Sequence, residues 1–508
     1  MSNTNDIAMS SSEDDGNPEG EPLLIADTDI SSEPLLRDGR QETGIQPAKP
    51  LSRLVFYFMA IHFLLAFAEI ILVAPLIRLF ENSLCLSHYG FPIGGVEEAL
   101  CKIKEVQRPL ATIRGWKSTF DTIPVLLVAI PVGRLGDHHG RRQIMAMALL
   151  GVVGSLVEIF VVCAFPKTFP LRLVWLSSAI LLFGGGLNSA SAFMWAMVTE
   201  SIPSEGRSHA FYYIFSAFYV AELISSSIAS VTLDISPWIP CGLAMGSIVA
   251  CLALLALMPD PRAHSQNSRQ EAPAYPLESL MGQSSVKGLF SALSNRNIQL
   301  TIPVFLVGIF RYAMLNILIQ YASVRFGLRI STGATFYTET AVVNIFLFSF
   351  LVPQLTAHIR HRFKVQPHVI DLFLVRTSVA LMCIGCLAIG LAQTSALLPF
   401  GVLVFAAGFG SRVSALALVS SWVSDDSKAT MFAGIVVLES LGHAVGDPAI
   451  QQIFAASLLL PPFWMAMPFF VGAGLYCIAR VSSSFIRLER SVGEDSGELV
   501  SSPEIGHA

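Results

Sequence analysis

Between Leu54 and Ala479 the chain is a succession of apolar runs separated by short polar segments, each run long enough to cross a bilayer. A span takes about 20 mostly apolar residues, and this stretch has room for about twelve. No other feature restricts the fold so severely. In hydrocarbon the backbone must satisfy its own hydrogen bonds, and a run of this length does so as a helix. Only 14% of the 508 residues are charged, against roughly 25% in a soluble domain. The expected fold class is an all-α polytopic membrane protein embedded in lipid.

The net charge of -5 is unevenly distributed, because residues 1–50 hold eleven Asp and Glu against three Lys and Arg. With its Ser, Gly and Pro content and no apolar run, this segment is expected to be a disordered acidic cytoplasmic tail. It lacks the charged-then-apolar pattern of a cleavable signal, so the run from Leu54 to Phe80 is read as a retained first span. Glu21-Pro22-Leu23-Leu24 and Glu33-Pro34-Leu35-Leu36 repeat within the tail. The first, preceded by Glu19, resembles an acidic dileucine sorting signal, or is a chance product of a tail rich in Glu and Leu. The destination stays open between the plasma membrane and the vacuolar membrane.

Lys49 and Arg53 precede the first run, and Arg134, Arg141, Arg142, Arg207, Arg262, Arg360, Arg362 and Arg480 fall in alternate loops after it. Positive loops are retained in the cytoplasm, so an even number of spans with both ends inside is expected. The organisation is then a six-span half over 51–258, a polar cytoplasmic linker over 259–297, a second six-span half over 298–480 and a tail over 481–508. The exception is a first outer loop from Glu81 to Lys117, which carries five basic residues including Arg114 and Lys117. That loop holds Cys85 and Cys101, which on an oxidising side are disulfide candidates, the alternative being two free thiols. Cys383 and Cys386 have redox or zinc spacing but lie in an apolar run, where small residues pack helices.

Gly133-Arg134-Leu135-Gly136-Asp137-His138-His139-Gly140-Arg141-Arg142 packs three arginines, three glycines and one aspartate between two apolar runs. This resembles the signature loop between the second and third helices of the major facilitator superfamily. Pro75, Leu79, Phe80, Glu81 and Cys85, then Gly115-Trp116, Ile130-Pro131, Gly184-Gly185-Gly186 and Gln320-Tyr321 narrow the resemblance to a fungal branch distantly similar to proton-coupled folate-type carriers. The resemblance implies a twelve-helix major facilitator fold of two six-helix halves that works by alternating access around a central site. It implies a gate in which Gly133 and Gly140 allow close helix approach and Asp137 faces the start of the eleventh helix near Thr430. Arg141 or Arg142 then pairs with Glu200. The other reading is that these charges only set topology.

Ionisable residues inside the spans carry more information, because a charge at the bilayer centre costs about 2.5 to 3.5 kcal/mol even on insertion scales. Glu69, Glu158, Glu222, Arg311, Glu339, Arg412 and Glu439 are such residues. Glu439, His443 and Asp447 are spaced four apart and rise along one helix face. That stripe suits proton passage, which makes Glu69, Glu222, Glu439 and His443 the proton-coupling candidates. The competing reading pairs Glu439 with Arg311 or Arg412 to hold two helices together. Asn188 and Gln320, with Arg311 and Arg412, are candidates for substrate contact or charge pairing. The expected function is a monomeric secondary active transporter of a small organic solute, coupled to protons. A non-transporting sensor derived from a transporter and an uncoupled facilitator are the alternatives. No zinc motif, nucleophile elbow or further ligand beside His138-His139 points to an enzyme, a metal, a cofactor or nucleic acid.

Overall fold

The structure is a computed structural model that describes residues 53–93, 95–202, 204–258, 295–308, 310–363, 366–423 and 425–487. The acidic tail over 1–50 with its paired leucines, most of the linker over 259–297 and most of the tail over 481–508 lie outside the described residues. Nine helices among the described residues are long and apolar enough to cross a membrane, among them Arg53–His88, Arg141–Ala164, Tyr213–Leu233 and Trp238–Leu257 in the first half of the chain. Arg296–Phe326, Ile330–Arg362, His368–Leu391, Leu397–Ser420 and Pro462–Ser484 follow in the second half. Three further helical spans complete the twelve: the second, Lys104–His139; the fourth, ending in Gly186–Ser201; and the eleventh, Asp425–Ser457.

Those three depart most from a plain apolar helix. The second span begins at Lys104, far before the apolar core of its sequence, so the expected outer loop from Glu81 to Lys117 is wrong. Residues 104–117 are helix, and Arg108, Arg114 and Lys117 are span residues. The exception to the positive-inside pattern shrinks accordingly, since most of the charges assigned to that loop belong to a helix. The fourth span is broken where Gly184, Gly185 and Gly186 take φ values of 106°, 83° and 73°. Side chains avoid that region. A Cβ on Gly184 would also stand 2.6 Å from the Ala148 backbone, so the third span is in direct backbone contact here. The eleventh span carries Glu439, His443 and Asp447 within one helix.

The helices with most to hide shelter each other. The second and eleventh spans make the most extensive helix contact among the described residues, and the fifth, Ser204–Leu233, packs on the eighth. Both pairs join the first half of the chain to the second. Glycine sets the distance at one such contact, since a Cβ on Gly115 would meet Gln451 at 2.8 Å, and Gly446 likewise lets the eleventh span close on Phe310 of the seventh. Within the second half, Gly385 of the ninth span lies against the tenth, where a Cβ would stand 2.5 Å from the Phe405 backbone. Cys386 is fully buried nearby, and the Cys383 thiol donates to the Ala473 carbonyl. Both cysteines pack helices.

Gly385→Ala is expected to cost about 1 to 3 kcal/mol, because backbone cannot yield as a side chain does. Gly474→Ala, where nothing stands within 4 Å, is the matched control and should be neutral in a thermal-unfolding assay of detergent-purified protein.

Candidate functional site

One end of the bundle carries a Cys85–Cys101 disulfide, and the cross-half hydrogen bonds between described residues lie toward that end. Behind the disulfide, Glu81 is 1% exposed and accepts from Arg78 at 2.9 Å, Lys102 at 2.7 Å and Gln107 at 2.6 Å. Gln320 of the seventh span donates to the Gln107 carbonyl at 3.0 Å and to its side-chain oxygen at 2.9 Å. Arg114 closes the cluster by donating to Gln320 Oε1 at 3.0 Å. Ser118 donates to Asp447 at 2.8 Å, Thr119 to the Ala444 carbonyl at 3.1 Å, and Ser331 to Asp234 at 2.7 Å. Glu98 accepts the Ile330 amide at 3.0 Å, tying the disulfide loop to the first residue of the eighth span. Burial alone would raise the Glu98 carboxyl. The Lys102 ammonium at 2.9 Å, the Ile330 amide and Arg78 outweigh it and hold the group below the usual carboxylate range.

At mid-depth the charges divide into answered and unanswered. Arg412 holds Glu439 bidentately at 2.6 and 2.8 Å. Lys117 pairs with Asp121, which also accepts from Ser178. These groups are spent on holding helices together. Glu222 has no such partner: it is fully buried, and neither of its carboxylate oxygens receives a hydrogen bond. Arg311 lies within electrostatic reach of it, but no ion pair joins them. The Arg311 guanidinium instead rests 5.1 Å from the Tyr312 ring centre and 5.5 Å from that of Phe409, with one long hydrogen bond to the Phe409 carbonyl. Glu69, midway along the first span and within electrostatic reach of His443, is exposed although it faces the other half. An exposed residue in that position lines a gap between the halves.

The remaining expected site residues are placed as follows. Gly133 and Asp137 lie on the second span and Glu200 on the fourth, with their side chains outside the described residues, so the gate contacts expected there also lie outside them. Gly140 forms the hinge between the second and third spans, with φ 102°. Arg141 opens the third span, and Arg142 donates to the Met258 and Ala256 carbonyls at the end of the sixth. Asn188 is exposed at the start of the fourth helix. Gln320 is engaged in the closed end. His443 Nδ1 lies 3.4 Å from Asp447 Oδ2. Sequence reasoning missed Arg114, Lys117 and Asp121, and it missed the tyrosine pair Tyr312 and Tyr337, stacked at 6.4 Å. The available signal was the three- and four-residue spacing of Arg114, Lys117 and Asp121, which places them on one helix face.

A bundle of twelve spans with opposite charges left unanswered at its centre has the architecture of a membrane transporter. Residues 111–374 match the Major Facilitator Superfamily, and the chain belongs to it. It is similar to the MFS efflux pump atnC of Emericella nidulans, 29% identical over 416 residues, which are 79% of this chain and 81% of that one. It is likewise 29% identical over 409 residues to the efflux pump ustT of Aspergillus flavus, covering 77% of this chain and 80% of that one. Among solved structures the xylose transporter XylE from E. coli shares the fold with a TM-score of 0.55 at 14% identity, over 85% of this chain and 97% of that one. The chain is an integral multi-pass membrane protein that transports a solute, and it is not an enzyme.

Two outcomes follow from these contacts. Glu439→Ala leaves the Arg412 cation unanswered and should cost about 2 kcal/mol. That is less than the roughly 3 to 5 of a fully buried pair, because the Arg412 side chain is 33% exposed. Replacing both partners by Leu should recover most of it in the same unfolding assay. For Glu98, the depressed folded-state carboxyl gives a contribution fully present above the ordinary glutamate value, about 4.3, and lost as the pH falls through the lower folded value. The difference in thermal midpoint between the chain and Glu98→Gln should therefore be full at pH 6 and shrink as the pH falls below about 4.3.

Proposed function

We propose that the chain is a proton-driven exporter of a small organic solute, working by alternating access, with the signature loop in the cytoplasm and the disulfide outside. The observation that carries this reading is Glu222, whose two oxygens are buried without a partner at mid-depth in the fifth span. An ionised carboxylate in that position is costly and a protonated one is not, so the group is suited to carry a proton and release it only when its surroundings change. The resemblance to proton-coupled folate-type carriers supports the coupling, and the names of the fungal relatives support the outward direction.

In this scheme residues 51–258 and 298–480 move as two bodies of a monomer, joined by the linker over 259–297. The hydrogen bonds at the disulfide end hold that end shut while the central gap is open toward the cytoplasm. Solute enters, Glu222 gives up its proton to the cytoplasm, and the bodies rock apart at Gln107, Arg114 and Gln320 on one side and Ser118 and Asp447 on the other. After the solute leaves, Glu222 is reprotonated from outside, which returns the carrier. Glu69 and His443 face the same gap and supply the route for the proton. Glu439, engaged by Arg412, contributes rigidity to the second half. Either the plasma membrane or the vacuolar membrane supplies the inward proton gradient this cycle requires.

Proteoliposomes with an entrapped pH dye, supplied with pools of candidate solutes, test the reading. The chain should give a solute-dependent proton signal. Glu222→Gln should lose it at least about tenfold, as removal of a proton carrier requires, while keeping counterflow of labelled solute. Solute movement with no proton signal in the unmodified chain would sink the coupling and leave an uncoupled facilitator.

A further inference from the structure

Resting on the reading of the chain as an exporter loaded from the cytoplasm, we propose that a pocket in the second half takes the apolar body of the exported solute, a ring or a compact branched hydrocarbon. The pocket lies between the seventh, tenth and eleventh spans. Ile298, Phe305, Val419 and Met431 wall it, and half-buried Ile302 and Leu438 stand at its rim.

Its volume is about 190 Å³ and nearly all of its surface is hydrocarbon. The one hydroxyl on its wall, Thr301, donates to the Ile298 carbonyl of its own helix at 2.7 Å and is already engaged. An apolar cavity of roughly 150 Å³ stays dry and admits benzene, so this one suits an apolar group of at least that size. Close-packed interiors rarely leave such a void, and the first half of the chain leaves none at the matching place. The first, fourth and fifth spans are related to the seventh, tenth and eleventh by the twofold axis of the fold. There His62, Trp195, Phe211, Phe215 and Phe218 fill the corner, with ring centres 5.2 to 6.4 Å apart. His62 and Phe305 occupy the same position in their spans, counted from Arg53 and Arg296. A corner that one half packs with rings is left open in the other.

Place and size favour the solute over a lipid chain as the occupant. Ile298 and Met431 lie near the starts of the seventh and eleventh spans, on the side from which the exporter loads. The wall from Ile298 to Phe305 is two turns of helix, or about 10 Å, short of the roughly 15 Å that one leaflet of acyl chain occupies. Beyond the pocket the helices present charge. Arg412 stands about two turns from Val419 on the same face of the tenth span, and Glu439 follows Leu438. Arg412 Nε and Nη2 are engaged by Glu439, whereas Nη1 has no partner among the described residues. An acyl chain outgrowing the pocket would meet that ion pair. A solute with an apolar body and a polar end meets hydrocarbon first and a donor beyond it.

Photolabelling of the full chain in phosphatidylcholine nanodiscs tests the site. A trifluoromethyl phenyl diazirine is the apolar probe, and a phosphatidylcholine with a diazirine in its acyl chain is the lipid probe. The aryl probe should label residues between Ile298 and Phe305 and between Met431 and Leu438, and should lose that label in Val419→Phe, whose ring fills the pocket. The lipid probe should label exposed Leu441 and Val445 and spare the pocket. Counterflow of labelled solute, run without a proton gradient, ties the site to transport. Val419→Phe should lower it at least about tenfold, the discrimination a hydrophobic pocket shows for a single methylene. Val419→Phe combined with Phe305→Val, which returns the volume, should restore both label and counterflow. Counterflow needs no coupling, so a failure of Glu222 to carry the proton leaves these results unchanged. Labelling of the pocket by the lipid probe, no aryl label there, full counterflow in Val419→Phe, or no recovery in the double variant would overturn the proposal.

Discussion

A bilayer tolerates a charge on a helix only where another helix or water answers it, and the architecture of this chain follows from where its charges are answered. The second and eleventh spans carry polar groups that lipid cannot answer. They answer each other, because Ser118, Thr119 and Gly115 of one meet Asp447, Ala444 and Gln451 of the other across the interface between the halves. The same contact that makes these helices compatible with lipid also joins the halves, so stability and closure have one origin. A transporter cannot spend all of its polar groups this way, since a fully paired interior has nothing left for a solute. Arg412 and Glu439 are paired, whereas Glu69, Glu222 and Arg311 have no ion-pair partner among the described residues.

The closed end shows how a loop reaches the core. Cys85 and Cys101 fix the ends of the segment that follows the first span, and Gln107 donates to the Cys101 carbonyl as well as to Glu81. Gln107 is therefore held from behind by the disulfide loop and presents its own carbonyl and amide oxygen to Gln320. Arg114, one to two turns further along the second helix, completes the contact. Four polar side chains in fixed positions, each fully committed, form a latch with two discrete states, made or broken, because a half-made version would bury unmatched donors and acceptors. That all-or-none character suits the rocking motion proposed above.

Much of the fold could be read from the sequence because lipid imposes a length and a polarity on each span, and because Gly133 to Arg142 is an unusual combination that few loops share. What escaped was set by partners distant in the chain. Hydropathy placed residues 104–117 in a loop since a helix segment with Lys, Arg and Glu looks aqueous until its neighbour is known. The break at Gly184–Gly186 reads as three small residues, and only the backbone of the third span, packed at Ala148, shows why no side chain fits. The pairing of Glu439 was confined to Arg311 or Arg412, both basic and both on spans of the same half. Choosing between them took the distance, for sequence spacing says nothing about two helices that meet only in space.

The two arginines also show why residue type alone does not define a site. Arg311 and Arg412 both lie within spans of the second half, yet a carboxylate has been placed against Arg412 and two aromatic rings against Arg311. A guanidinium on a ring face is stabilised by roughly 0.5 to 2 kcal/mol, enough to hold its position but well short of quenching its charge. It remains available to a carboxylate, which offers bidentate geometry that no ring can match. Stacking therefore keeps Arg311 oriented with its charge unpaired. An ion pair would have kept it oriented too, but with its charge quenched.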